Sequence, residues 1–262
     1  MRTVIKVGTS TLAHAGGRLN IRRVELLCKV LSDLKNAGHE LILVSSGAIG
    51  MGVGKLGLPG RPSDMPGKQA AAAVGQCELM YTYDKLFSEY NHTVAQILLT
   101  ADDIHDPRRS GHVHDTLERL LEFGAMPIIN ENDAVATDEI GIETTIGEND
   151  TLAAIVARLV SADRLILLSD IDGLYTADPH KDHHARLIPT VTELTDEIYS
   201  LAGAAGTSLG SGGMATKLKA ASITMEAGID MVIANGEAPE VLYDLFDGKA
   251  VGTHFLGKKV LV

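Results

Sequence analysis

The sequence predicts an α/β protein, a three-layer αβα sandwich with a mainly parallel central β-sheet. Short apolar segments alternate with longer amphipathic ones, which is the order of a parallel sheet with crossover helices. The short segments are apolar at consecutive positions, as in strands that are covered on both faces. Three amphipathic segments end at Gly38, Gly124 and Gly228, just before the next strand, and glycine there is typical of a helix C-terminus.

Six strands are predicted from runs rich in Val, Ile or Leu. In chain order they are Thr3–Val7, Glu40–Val44, Val94–Leu99, Met126–Ile129, Arg164–Leu168 and Met231–Ala234. Helices are predicted where apolar residues recur every three or four positions. In chain order they are Ile21–Ala37, Lys68–Tyr90, Gly111–Phe123, Thr151–Val160, Met214–Ala227 and Pro239–Leu245. Residues 133–149 break this alternation and predict a short β-hairpin or flap.

Length and composition indicate a single cytoplasmic domain. The chain has 262 residues, no basic N-terminal segment followed by an apolar stretch, and no apolar run of about 18 residues. Its net charge of −11 argues against general binding to nucleic acids or anionic membranes. With 6 Tyr, 4 Phe and no Trp, surfaces that stack bases are not expected. Cys28 and Cys77 are predicted to be buried free thiols in a reducing compartment.

Polar and glycine residues follow four of the predicted strands. The carboxyl ends of parallel strands meet at one edge of a sheet, where ligands bind. Any single loop of this composition is also typical of an ordinary turn or helix cap. Because four such loops fall on the same predicted edge, we expect a binding site there. The segments are Lys6–Ser10, Ser45–Gly47, Asn130–Asp133 and Ser169–Asp170.

Gly52, Gly54 and Gly57 match the spacing of a dinucleotide-binding fingerprint, but their context argues against that function. In the fingerprint the glycines directly follow a strand and open a helix. Here the preceding strand ends near Val44, and Pro59 follows the glycines. The sequence therefore predicts a flexible glycine-rich loop rather than a nicotinamide site.

The glycine-rich run from Gly206 to Lys217 is a candidate anion-binding segment. Glycines let backbone N–H groups approach an anion, and a predicted helix starts directly after them at Met214. The helix N-terminus adds partial positive charge, and Lys217 in its first turn is placed to reach a phosphate. An ordinary glycine-rich loop with a solvated lysine explains the pattern equally well.

Lys6 and Asp150 are further candidates for phosphoryl chemistry. Lys6 ends the first strand beside Gly8, and two lysines from distant segments suit a phosphoryl group that carries charge on three oxygens. A solvated lysine at a strand end is the alternative. Asp150 either orients the two lysines or caps the helix that follows, and one of Asn149 and Asp150 is expected to be that cap.

No metal site is predicted. His180, His183 and His184 lie close together in the sequence, but their spacing matches no set of metal ligands, and a solvated loop explains them. The chain has no CxxC pair, so a thiolate zinc site is not expected either.

Eight segments resemble the glutamate 5-kinase family of the amino acid kinase superfamily. The resemblance runs from residue 3 to about residue 253, and the segments INENDAVA and GSGGMATK separate this family from its superfamily relatives. In chain order the segments are Lys6-Val-Gly-Thr-Ser10, Val44-Ser-Ser-Gly-Ala-Ile49, Ala72-Ala-Val-Gly-Gln76, Ile129-Asn-Glu-Asn-Asp-Ala-Val-Ala136, Gly147-Glu-Asn-Asp150, Ser169-Asp170, Gly173-Leu-Tyr-Thr-Ala-Asp-Pro179 and Gly210-Ser-Gly-Gly-Met-Ala-Thr-Lys217.

The resemblance implies ATP-dependent phosphorylation of the L-glutamate γ-carboxylate, the first step of proline biosynthesis. It makes Lys6 and Lys217 the catalytic contacts of the transferring phosphoryl group and makes Asp150 the residue that organises them. The implied glutamate-binding residues are Ser46, Asp133 and Asn149. The implied ATP-binding residues are Lys6, Ser169, Asp170, Ser211, Gly212, Gly213, Met214, Ala215, Thr216 and Lys217.

The resemblance also implies Mg²⁺ carried on ATP, feedback inhibition by proline at or near the glutamate site, and a homodimer or homotetramer. One amino acid kinase domain is expected, with a glutamate-binding lobe at about residues 1–160 and a nucleotide-binding lobe at about residues 161–262. The C-terminal RNA-binding-like (PUA) domain of many members is expected to be missing. Glu148 stands where Asp is common in the family, which bears on the affinity for glutamate and proline.

The implied acceptor agrees with the lack of an obvious His/Asp pair that would serve as general base. A kinase that phosphorylates a hydroxyl usually needs a group to take the proton of that hydroxyl. A γ-carboxylate, with a reference pKa of about 4.3, is already deprotonated at neutral pH. Two alternatives stay open. One is a kinase of the same fold for another small acid, such as N-acetylglutamate, carbamate or aspartate, and the other is a nucleotide- and proline-binding sensor without turnover.

Overall fold

The computed structural model describes residues 1–14, 18–135, 149–179, 181–204 and 213–258. In these residues one eight-stranded sheet lies between layers of helices, as predicted for the fold class. The strands are β1 Arg2–Val7, β2 Glu40–Val44, β3 Val94–Leu99, β4 Met126–Glu131, β5 Arg164–Ser169, β6 Thr190–Val191, β7 Asp230–Asn235 and β8 Thr253–Phe255. The helices are α1 Thr9–Leu12, α2 Ile21–Asn36, α3 Ala48–Leu56, α4 Met65–Ser88, α5 Ala101–His105, α6 Pro107–Glu122, α7 Asn149–Leu159, α8 Asp196–Ala204, α9 Met214–Glu226 and α10 Val241–Phe246.

The sheet has the strand order β3-β4-β2-β1-β5-β7-β8-β6. The first six strands in this order pair in parallel, whereas β8 runs antiparallel to β7. The register places Lys6 beside Val44 of β2 and Leu167 of β5, and it places Val44 beside Ile129 of β4. The carboxyl ends of β4, β2, β1 and β5 therefore lie next to one another, and the four polar segments that follow them start at one edge.

Alternate residues of β1 pack on opposite faces of the sheet. Val4 lies in one buried apolar cluster with Leu218 of α9. Ile5 lies in the other cluster with Tyr83 of α4. Side chains alternate along a strand with a period of two, so Lys6 faces the same side as Val4. Helices α7 and α9 cover that side, and this brings the Lys6 ammonium group to their first turns.

All six predicted strands and all six predicted helices are present, with ends within four residues of the predicted ones. Gly38, Gly124 and Gly228 have φ of 92°, 74° and 76°, and they follow helix ends as predicted. Strands β6 and β8 were not predicted, because two and three residues are too few to show a period. The expectation that each strand is covered on both faces is wrong for β3, an edge strand with only one buried residue among its six.

Helix α3 corrects the prediction of a flexible glycine-rich loop at Gly52, Gly54 and Gly57. A β-carbon on Gly52 would lie 1.8 Å from the backbone oxygen of Ala71 in α4. A β-carbon on Gly75 of α4 would lie 1.7 Å from the backbone oxygen of Ala48. Since only glycine allows such close backbone approach, the residues that weaken α3 as an isolated helix are those that let it pack against α4.

Two further predictions from the sequence concern membrane-spanning segments and the burial of Cys28 and Cys77. Among the described helices, none is both long and apolar enough to cross a membrane. Cys28 is buried as predicted, but the prediction for Cys77 is wrong, because it is exposed on α4.

Gly52→Ala is expected to destabilise the protein by about 1–3 kcal/mol, because overpacking a tight contact carries that cost. Gly50→Ala in the same helix is the matched control, since its β-carbon would meet nothing within 4 Å. There alanine should stabilise by about 0.5–1 kcal/mol, as the better helix former. Urea unfolding of both variants measures the two changes. Equal stability of the two variants would contradict the backbone contact between α3 and α4.

Candidate active site

Lys6, Asp150 and Lys217 form the centre of the site. The Nζ atom of Lys6 lies 2.6 Å from Oδ1 of Asp150, and the Nζ atom of Lys217 lies 3.0 Å from Oδ2 of the same carboxylate. The three residues are 8%, 1% and 5% exposed, respectively. They come from β1, α7 and α9, so the tertiary fold brings both predicted lysines to one carboxylate.

The charges of this cluster do not balance within it. Burial would raise the pKa of the Asp150 carboxyl, but the ammonium groups of Lys6 and Lys217 outweigh burial and hold that pKa below its ordinary value. The carboxylate is therefore ionised at neutral pH. Two ammonium groups share one carboxylate, so the three side chains together carry a formal charge of +1, which makes the cluster suitable for an anionic group.

The first turn of α9 adds a second feature that favours anions. Gly213 is the N-cap residue in an extended conformation, and the helix runs for 13 residues, so its N-terminus carries partial positive charge. The hydroxyl oxygen of Thr216 lies 2.8 Å from the Gly213 carbonyl oxygen and 3.1 Å from Oδ2 of Asp150. The predicted ATP-binding residues Gly213, Met214, Ala215, Thr216 and Lys217 thus lie at this helix start, while Ser211 and Gly212 lie outside the described residues.

Asn149 links the charged cluster to a polar cluster formed by Ser45, Ser46 and Asn130. Its amide nitrogen donates to the Ser45 carbonyl oxygen at 2.7 Å and to the Ser46 hydroxyl oxygen at 2.8 Å. The same nitrogen lies 3.1 Å from Oδ1 of Asn130. Because Asn149 and Asp150 are consecutive in the first turn of α7, one helix start positions residues of both clusters.

The structure describes helix α7 from Asn149 onward, and residue 148 lies outside the described residues. That one of Asn149 and Asp150 caps this helix stays a prediction. The described contacts of both side chains are with groups on other elements. The predicted flap at residues 133–149 lies outside the described residues except for its two ends.

Asp133, Ser169 and Asp170 lie at the same edge of the sheet. Asp133 follows β4 and is partly buried, and this burial raises the pKa of its carboxyl against the opposing charge of Arg61. Ser169 is buried at the end of β5, where its hydroxyl donates to Oδ1 of the exposed Asp170 at 3.2 Å. These residues flank the central cluster on two sides.

The sequence placed Ser45 and Asn130 in polar segments at the binding edge and Gln76 in a family segment, but it assigned none of the three an individual role. Nδ2 of Asn130 donates to Oε1 of Gln76 at 3.0 Å. The Ser45 hydroxyl lies 2.9 Å from the Tyr83 hydroxyl. The available signal was Gln76, which follows the alanine run of α4 among small and apolar residues, because an amide at a buried helix position requires a partner.

A group of three or more His, Cys, Asp or Glu residues that could hold a metal ion does not occur among the described residues. His183 and His184 are exposed, and His180 lies outside the described residues. The charged centre is thus built from lysines around one carboxylate rather than from several ligand carboxylates.

Comparisons with known proteins concern the family and the fold of the chain. The model of the amino acid kinase family matches residues 1–235. The glutamate 5-kinase of Clostridium perfringens is 52% identical over 258 residues, which cover 98% of this chain and 96% of the relative. That of Clostridium tetani is 55% identical over 252 residues, which cover 96% and 93%. The chain belongs to the amino acid kinase family, among the glutamate 5-kinases.

Two solved structures of other kinases share the fold of this chain. Carbamate kinase from Giardia lamblia bound to AMP-PNP has a TM-score of 0.68 and 18% identity, with 98% of both chains covered. Isopentenyl phosphate kinase from T. acidophilum, a product complex, has a TM-score of 0.66 and 19% identity, with 97% of this chain and 100% of the other covered. At such low identity these likenesses concern the fold alone.

Asp150→Asn is expected to destabilise the protein by about 3–5 kcal/mol at pH 7, because two buried ammonium groups lose their counter-ion. The lowered pKa of Asp150 means that its contribution is present above an unfolded-state pKa of about 3.9 and is lost as pH falls through the folded-state pKa. The stability difference from wild type should therefore be constant above about pH 5 and shrink in more acidic solution.

Urea unfolding across this pH range measures that difference. Asp115→Asn, which alters an exposed carboxylate on α6, is the matched control and should differ little from wild type. A constant difference between wild type and Asp150→Asn at every pH, or no difference at all, would contradict the role of Asp150 as counter-ion.

Proposed function

We propose that this chain transfers the γ-phosphoryl group of ATP to the γ-carboxylate of L-glutamate. The products are L-glutamyl 5-phosphate and ADP, and the reaction is the first step of proline biosynthesis. The observation that carries the proposal is the pair of buried lysines on one carboxylate, in a chain 52% identical to a glutamate 5-kinase over 98% of its length.

The reaction demands charge stabilisation rather than proton removal. An oxygen of the γ-carboxylate forms a bond to the γ-phosphorus while the bond to the β–γ bridging oxygen breaks, and the electron pair leaves with ADP. The attacking carboxylate is already deprotonated, so no general base is required. Electrostatic repulsion opposes the approach of this carboxylate to the negatively charged ATP. Lys6 and Lys217 offset the repulsion by binding the oxygens of the transferring group.

Asp150 would keep these lysines in place for the reaction. Two buried ammonium groups repel each other, and the carboxylate between them holds both by contacts of 2.6 and 3.0 Å. Preorganised charges act without reorganisation at the moment of transfer. Asp150 therefore organises the catalytic lysines and does not take a proton.

On the nucleotide side, ATP would be bound by Ser169, Asp170 and the segment from Ser211 to Lys217. The N-terminus of α9 presents partial positive charge to the phosphates, and Lys6 and Lys217 reach the γ-phosphoryl group. Mg²⁺ would arrive on the phosphates of the nucleotide and neutralise part of their charge.

On the acceptor side, glutamate would be bound by Ser46, Asn149 and Asp133. The Ser46 hydroxyl accepts from Asn149, which leaves its own hydrogen to donate to a substrate oxygen. Asp133 would pair with the α-ammonium group of glutamate. Residues 1–160 would form the glutamate-binding lobe and residues 161–262 the nucleotide-binding lobe of one domain.

The proposal extends to regulation and context. Proline would inhibit at or near the glutamate site, the protein would be a homodimer or homotetramer, and its location would be the cytoplasm. An ADP-release assay with glutamate, run in the presence and in the absence of proline, tests the function and the inhibition together. Greater ADP release with N-acetylglutamate, carbamate or aspartate, or nucleotide binding without ADP release, would overturn the proposed function.

Lys217→Ala is expected to lower kcat by about 10²–10³, because one charge that stabilises the transferring group is lost. Lys219→Ala is the matched control, since this lysine lies in the same helix but is exposed. ADP release at saturating glutamate and ATP measures both variants. A folded Lys217→Ala variant with the wild-type rate would refute the assigned role.

Ser46→Ala is expected to raise KM for glutamate about tenfold, the equivalent of one lost hydrogen bond of about 1.4 kcal/mol to a charged group. KM for ATP should stay within about twofold, because Ser46 lies with Asn149 rather than at the start of α9. Initial rates with each substrate varied in turn make the comparison. Equal increases in both KM values would contradict the assignment of Ser46 to glutamate binding.

A further inference from the structure

A chain of side-chain amides runs from α4 to the proposed acceptor site, and backbone atoms determine its orientation. The N–H of Glu131 donates to one side-chain atom of Asn130 at 3.0 Å, so that atom is the oxygen. The Asn130 nitrogen therefore faces Gln76, and the Gln76 atom that faces it is the oxygen Oε1, at 3.0 Å. At the other end, the carbonyl oxygen of Ser45 faces the Asn149 nitrogen in the same unambiguous way.

This orientation leaves the nitrogen Nε2 of Gln76 buried without a hydrogen-bond partner among the described residues. A buried unpaired amide carries a desolvation cost. An apolar side chain at position 76 would avoid that cost but would leave the Asn130 nitrogen without its acceptor. A carboxylate would supply the acceptor, but it would bring a negative charge toward a site that must receive an anion.

The backbone of Gln76 is held as closely as its side chain. Its neighbour Gly75 packs so tightly on α3 that a β-carbon there would lie 1.7 Å from the Ala48 oxygen. Ala48 opens α3, directly after Ser46 and Gly47. The position of α4 is therefore coupled to the proposed substrate-binding serine by backbone packing as well as by the amide chain.

We propose that Gln76 is a positioning residue for the acceptor substrate, an inference that rests on the proposed function. Its Oε1 fixes the amide of Asn130, whose oxygen lies 3.1 Å from the amide nitrogen of Asn149. Asn149 in turn donates to the Ser46 hydroxyl oxygen. Gln76 thus sets the direction of the groups that face glutamate, from a position 8% exposed, without a direct role in the transfer of the phosphoryl group.

The test compares two substitutions that remove the acceptor but differ in volume. Gln76→Met nearly preserves the side-chain length, whereas Gln76→Ala leaves a cavity. Both are expected to raise KM for glutamate about tenfold, the size of one hydrogen bond to the site, while KM for ATP stays within about twofold. Gln96→Met, at an exposed position of β3, is the matched control and should leave both KM values unchanged.

An unchanged KM for glutamate in Gln76→Met would overturn the inference. An equal rise in KM for ATP would also overturn it. So would an effect of Gln76→Ala on KM for glutamate far above that of Gln76→Met, because an effect that depends on packing increases with the side-chain volume that is lost. If Gln76→Ala fails to fold, Gln76→Met alone decides. A wild-type protein without glutamate-dependent ADP release would refute the proposed function itself, whereas normal wild-type turnover with unaffected Gln76 variants would refute only this inference.

A double-mutant cycle with Asn130→Ala separates a coupled chain from two independent effects. If Gln76 acts through Asn130, the variant with Gln76→Met and Asn130→Ala should have a KM for glutamate within about twofold of Asn130→Ala alone, because the second change removes nothing further. Multiplied effects of the two substitutions on that KM would overturn the chain of action from Gln76 through Asn130.

Discussion

The interaction on which the rest of the site depends is the carboxylate of Asp150 between two buried ammonium groups. Lys6 and Lys217 could not lie so close together in a desolvated place without a negative charge to hold them. The carboxylate in turn stays ionised at this burial because of the two cations. Each charge thus stabilises the opposite charge beside it, and the three side chains together carry a formal charge of +1.

The first turn of α7 joins this charged cluster to the polar side chains that follow β2 and β4. Asp150 faces the lysines, while Asn149 binds the segment after β2 through Ser45 and Ser46. The parallel order of β4, β2, β1 and β5 makes this possible, because it places four strand ends side by side. A helix that starts above these ends reaches both the lysines and the polar amides. The spacing between the lysines and the polar amides is consequently set by the sheet rather than by a loop.

Much of the architecture could be predicted from local patterns, and the exceptions share a physical cause. Strands such as Glu40–Val44 show their burial in consecutive apolar residues, and Gly38 or Gly228 show the helix ends that precede the next strand. Helix α3 was missed because its glycines lower its intrinsic helix propensity, and its stability comes from contact with α4. The short strands β6 and β8 exist only through pairing, β6 with β8 and β8 with β7, so no periodicity in the sequence predicts them.

Local residue patterns predicted the fold class, the edge of the sheet at which the polar segments gather and the two lysines that share Asp150. What required the tertiary structure was the set of partners. Lys217 and Asp150 are 67 positions apart, Asn149 and Ser45 are 104 apart, and Gln76 and Asn130 are 54 apart. Which side chains meet over such separations depends on strand order and helix packing, because a turn or a helix constrains only its nearest neighbours. For that reason the sequence left Asp150 as either a cap or the residue that orients the lysines, and only the fold shows its carboxylate between Lys6 and Lys217.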